Sequence, residues 1–289
     1  MPTECHGQCP PNGSGKRSWW ESRGKRPFDL VVVILSVPAT LPEATRYYPR
    51  GTRGIAALID AIASLGEGPI LCGQQVVKVD SARREVHTSS GECFRYRRLV
   101  STISLPSLAA CVTDLPSTLR GLADGLKAQG IRVARIGCRS SSSGLDGIWT
   151  YFPDTTVPFY RMTRLERISA DLAPPGGAAL LFEYPQTSMP EETELLSWLD
   201  ELGVADRNDV EHFSSIHLPT AYVLFNRGFR SRLNELRTVL SDRGILTAGR
   251  YGSWRYSDIE MDIQSAIRAA HAAAGVTLAG SEFLDAMKT

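Results

Sequence analysis

The stretch ILTAGRYGSWRY at residues 245–256 decides how this chain is read. Ile245 to Ala248 are apolar or small enough for a buried strand. Gly249 and Gly252 follow as a turn, and Asp258 to Ala274 continue as a helix. A strand that runs through a glycine turn into a helix lets the backbone approach a ligand and aims helical N–H groups at an anion. An ordinary strand–turn–helix connection has the same pattern. Asp258, Glu260 and Asp262 crowd the first helical turn, where carboxylates stabilise a helix and repel a diphosphate, so capping is the simpler role for them.

Working outward, strands and helices alternate. Ile55, Leu58, Ile59 and Ile62 fall at helical spacing, with Gly66 as the expected stop. Alternating runs at 75–80 and 85–88, joined at 81–84, read as a hairpin closed by Ser89, Ser90 and Gly91. A buried strand is expected at 98–103, further strands at 131–138, 178–183 and 210–216, and helices at 119–126, 191–202 and 230–242. With no repeat at 20 to 50 residues, the class is mixed α and β.

Bulk properties exclude several function classes. The 289 residues are 43% hydrophobic and 22% charged, and 32 basic against 31 acidic residues leave a net charge of +1, so neither nucleic acid nor another polyanion is an expected partner. The most apolar run, 28–37, holds about ten residues where a membrane span takes roughly 20. A cytoplasmic protein is expected, with no membrane association. Six cysteines lack paired C-x-x-C spacing. Cys5, His6 and Cys9 sit in a tail without a fourth ligand, and His87, His212, His217 and His271 are scattered, so no metal is expected. Residues 1–27 have no apolar period. The serines at 140–143 lack a G-x-S-x-G frame and read as a loop.

A second constellation is GIWTYFPDTTVPFYRMT at 147–163. Trp149 and Tyr151 share one strand face and can stack on a ring, and Arg161 can grip a phosphate through two N–H groups. The same residues also suit a core strip and an arginine–carboxylate pair. Both readings stay open.

YFPDTTVPFYRMT at 151–163 and GRYGSWRY at 249–256, with YYPRGTRGIAAL at 47–58, RRLVSTISLPSL at 97–108 and AYVLF at 221–225, resemble the UDP-galactopyranose mutase family. That family lies within the FAD-dependent amine oxidase and protoporphyrinogen oxidase superfamily. The resemblance implies that Trp149, Tyr151, Arg161 and Tyr222 bind a nucleotide sugar such as UDP-galactose. It also implies that Gly249, Arg250, Gly252, Tyr256, Glu260 and Met261 lie at FAD, whose N5 does the chemistry without a side-chain nucleophile. The family's opening G-x-G-x-x-G is absent from residues 1–50, Arg53 interrupts the glycine pattern of its segment, Glu260 stands where Asn is typical, and Ala266 stands where glycine is usual.

The expectation is therefore a truncated two-domain FAD-linked flavoprotein fold, a substrate-binding sheet lobe with a remnant of the FAD-binding lobe. Residues 1–45 form a disordered or divergent segment and 276–289 a tail. In the domain at 46–275, parts 46–110 and 244–275 are flavin-proximal and 111–243 form the substrate lobe. The expected function is that of a mutase-like flavoprotein, inactive if the truncation removes the cofactor. The alternatives are an amine oxidase-type oxidoreductase and a non-catalytic nucleotide-sugar-binding or partner protein. A homo-oligomer is one expected partner state, and a complementing chain that carries the missing lobe is the other.

Overall fold

In a computed structural model, residues 48–66 and 68–275 are described. The expected tails, the Cys5–Cys9 group and the run at 28–37 lie outside them. Seven α-helices and ten strands follow among the described residues: α1 (Ala56–Ser64), β1 (Val76–Asp80), β2 (Glu85–Thr88), β3 (Cys93–Arg95), β4 (Leu99–Ser101), α2 (Leu105–Cys111), α3 (Ser117–Asp124), β5 (Lys127–Cys138), β6 (Trp149–Tyr151), β7 (Arg161–Arg164), β8 (Ala178–Pro185), α4 (Glu192–Leu202), β9 (Val210–Leu224), α5 (Phe229–Asp242), β10 (Ile245–Thr247), α6 (Gly249–Gly252) and α7 (Ile259–Ala274). The described residues divide into two compact units, one holding those through Pro69 with Gly130–Pro219, the other Ile70–Gln129 with those from Thr220. Of the segment expected as substrate lobe, 111–129 and 220–243 thus pack in the second unit.

The first unit is built on a five-stranded sheet in the order β6-β7-β8-β5-β9. Alternation along β8 sends Ala178, Leu180, Phe182 and Tyr184 to one face, where Ala134, Ile136 and Met162 join them in a single core. Helix α4 contributes Leu195, Leu199 and Leu202 to this core, a spacing that puts all three on one stripe. Each such leucine stabilises the fold by about 1.5–3 kcal/mol on burial. Register puts Trp149, Tyr151, Arg161, Thr163, Leu181 and Glu183 on the opposite face, because residues paired across strands share a face.

The second unit combines the antiparallel sheet β1-β2-β3 with the parallel pair β4 and β10, in which Leu99 faces Ile245 and Ser101 faces Thr247. Its core gathers Val79 and Val86 from the sheet, Leu105 and Leu108 from α2, and Phe229, Leu233, Leu236 and Leu240 from α5, with Ile245 and Trp254. The segment expected as a buried strand at 98–103 is a three-residue strand, and Val100 is 38% exposed. A strand with one neighbour among the described residues keeps an open side. Strand β3 and helix α2 were not expected, and β5 and β9 run longer than read.

Candidate functional site

On the polar face of the five-stranded sheet, Tyr151, Arg161 and Glu183 stand directly opposite one another on β6, β7 and β8. Arg161 Nε donates to Glu183 Oε1 at 2.8 Å, and Nη2 donates to the same oxygen. Its Nη1 donates to the Tyr151 hydroxyl at 3.4 Å, and the guanidinium carbon lies 5.8 Å from the Tyr151 ring centre. The Tyr160 hydroxyl donates to Glu183 Oε2 at 3.0 Å. Glu183 is 7% exposed, and these partners satisfy both of its carboxyl oxygens. Glu183 was not singled out from sequence, since nothing local marks a residue 22 positions away as the mate of Arg161.

The aromatic strip splits in two. Phe152 and Phe159 are core, edge to face at 4.9 Å, and Phe159 also meets Phe182, Tyr184 and Trp198. Trp149 and Tyr151 are half-buried on the other side of β6. Tyr222, half-buried on β9, belongs to the second unit.

Arg164 is fully buried, and sequence reasoning passed over it. Its Nε donates to Glu166 at 2.7 Å, Nη1 to the Gly144 carbonyl at 2.5 Å, and Nη2 to Ser141 Oγ at 2.6 Å and the Ser142 carbonyl at 2.9 Å. Ser141 and Ser142 of the serine run thus hold this guanidinium, while Ser140 donates to Asp209. Gly144 is required there, because a Cβ would stand 2.2 Å from the Gly203 carbonyl oxygen.

In the second unit, the strand–turn–helix at 245–275 is satisfied largely by its own groups. Ala248 N–H donates to the Ser101 carbonyl, and Gly249, at φ +75, donates to Ser265 Oγ at 3.2 Å. A Cβ at Gly249 would meet open space, whereas one at Gly252 would stand 2.6 Å from the Ser101 oxygen, so Gly252 serves close packing on β4. Arg250 donates from Nε and Nη2 to the Ser257 carbonyl, with its guanidinium 5.1 Å from the exposed Tyr256 ring. Asp258 caps α7 by accepting from Met261 N–H at 2.8 Å, Glu260 accepts from Gln264, and the Met261 carbonyl accepts from Arg255. With a carboxylate already at the end of α7 and Glu260 and Asp262 beside it, these residues do not form a cradle for the diphosphate of a flavin dinucleotide. Room for a neutral ligand edge remains beside Gly249.

Glu85, His87 and Cys93 of the antiparallel sheet also bring their donor atoms within 4.8 Å of one another. No described helix is long and apolar enough to cross a membrane.

The chain thus has a mixed α/β architecture in two compact units, one with a parallel strand pair feeding a glycine turn and helix and the other built on a five-stranded sheet. Residues 33–274 match the family described as flavin containing amine oxidoreductase, and the chain belongs to that family. Its fold is similar to a reduced UDP-galactopyranose mutase (22% identity, TM-score 0.61, 71% of this chain and 47% of that one). It is also similar to a proposed protoporphyrinogen oxidase from Exiguobacterium sp. 255-15 (14%, 0.61, 77% and 51%) and to a CLA-producing fatty acid isomerase from P. acnes (14%, 0.54, 75% and 52%). The chain spans about half the length of these structures.

Proposed function

We propose that this member of the flavin-containing family binds a nucleotide sugar of the UDP-galactose type on the sheet face that carries Trp149, Tyr151 and Arg161. Tyr222, in the second unit, stays an implication of the resemblance alone and is no part of this sheet face. The row Tyr151–Arg161–Glu183 carries the reading. A guanidinium already fixed by a buried carboxylate gives up little freedom when it grips a phosphate, and the adjoining aromatic residues offer ring surface. Because Glu183 neutralises part of the charge, affinity rests on donor geometry more than on net charge. An amine-oxidase-type pocket would favour an amine, which a guanidinium repels.

When bound, FAD would supply the chemistry common to flavoproteins. The described residues offer it space beside Gly249 and no diphosphate cradle, so in this reading FAD uptake calls for residues outside those described, on this chain, on a second copy or on a complementing chain. The Asp258 cap favours a second reading, a nucleotide-sugar-binding protein that does not turn its ligand over.

Calorimetric titration of UDP-galactose into the full chain and into Arg161→Lys tests the site. Lysine preserves a charge for Glu183 and loses the planar fork, and affinity is expected to fall roughly tenfold, about 1.4 kcal/mol. Equal affinities would overturn the site. Flavin absorbance that stays with the chain through gel filtration after FAD addition would support the enzymatic reading, and its loss the binding-only one.

A further inference from the structure

We propose that Glu85, His87 and Cys93 form a binding site for a zinc-class divalent ion on the solvent face of the three-stranded sheet, independent of the nucleotide-sugar reading. Period-two alternation sends Val79 and Val86 into the core and leaves the other face polar. Cys93 is paired directly across from His87, and Glu85 lies two residues from His87 on the same strand, so all three share that face. The link from β2 to β3 is short, with Gly91 at φ +88 and Thr88 N–H bonded to the Glu92 carbonyl, which fixes the His87–Cys93 pairing.

Cys93 Sγ lies 4.0 Å from His87 Nε2, and His87 Nε2 lies 3.7 Å from Glu85 Oε2. Zinc bonds of about 2.0–2.3 Å in a tetrahedron need donors roughly 3.3–3.6 Å apart, within reach of small side-chain rotations. One sulfur, one imidazole nitrogen and one carboxylate oxygen suit a borderline ion, with water in the fourth position. Glu85 and His87 are half-buried and held by their strands, while Cys93 is exposed. On binding, the Cys93 thiol proton passes to solvent and a thiolate–metal bond forms without any change of oxidation state.

Two cations share the face. Arg95, opposite Glu85, bonds its carboxylate at 3.3 Å with a side chain 85% exposed, so a metal can displace it. Lys78, opposite His87, lies 4.0 Å from Asp80.

The test is a Co2+ titration of the full chain carrying Cys5→Ser and Cys9→Ser, which silences the N-terminal thiols, read by thiolate-to-cobalt charge-transfer absorption. Saturation at one equivalent and reversal by Zn2+ are expected. Cys93→Ser, a near-isosteric change at an exposed position, is expected to abolish the band. Arg95→Ala, which frees Glu85 from its competitor, is expected to tighten binding about two- to fivefold. A band absent from the parent chain, retained in Cys93→Ser, or unmoved by Arg95→Ala would overturn the site.

Discussion

At the scale of single residues, Arg164 is the side chain whose loss should cost most. It spends its donors on Glu166 and on the 141–145 loop, where Leu145 is held at φ +45, and it has no contact with solvent. Arg164→Met leaves Glu166 without its ion pair and the loop carbonyls without donors, and urea unfolding is expected to show a loss of about 3–5 kcal/mol. Cys138 is the complementary case. Burial, aided by Asp209 and Glu166, pushes its thiol up to about 11, whereas Cys72 and Cys93 are exposed. Alkylation at about pH 8 should therefore label Cys72 and Cys93 in the native chain and reach Cys138 only after unfolding, as peptide mapping will show. Sequence identified Trp149, Tyr151 and Arg161 through aromatic spacing and charge. It set His87 aside as a scattered histidine with no metal expected, and it did not single out Glu183 or Cys93, because a cross-strand neighbour is set by register and register has no local signature; Arg164 went unmarked because its loop partners lie about 20 residues away.

At the scale of elements, the helices and strands with strong apolar periods were legible: α4, α5, α7, β5 and β8 fall within a few residues of where their patterns place them. The elements that escaped are short. Strand β3 is three exposed residues with no alternation to detect. Helix α2 carries Pro106 in its first turn after the Ser104 cap and spans only seven residues, too few to display a period. The acidic start of α7 was read both as a cap and as an obstacle to a diphosphate, and Asp258 acts as the cap. Asp258→Ala is expected to destabilise the chain by about 1 kcal/mol, and Asp258→Asn, which can still accept from Met261 N–H, by much less; thermal melts of both variants will separate cap from charge.

At the scale of the whole molecule, several carboxyls tie the stability of the fold to pH. Asp114, Asp154 and Asp200 all have carboxyls held below their ordinary value of 3.8. For Asp114, burial works to raise it, but hydrogen bonds from Ser81 outweigh that effect. For Asp200, burial is likewise outweighed, here by Arg207, and Asp154 is held low by Thr156. A carboxyl depressed by folding contributes stability that is fully present above its unfolded value and is lost as pH falls through the lower folded one. Urea midpoints should therefore be level with respect to these groups above about pH 5 and decline below about pH 4. The fold class was legible at this scale because alternating strands and helices leave few architectures. One strand pair of the second unit joins distant parts of the chain. Leu99 and Ile245, which pair in β4 and β10, are 146 residues apart. During synthesis at roughly 5–20 residues per second, β4 emerges from the ribosome about 7–30 seconds before the strand it needs, and the first half of its core must stay unaggregated until the second half is made.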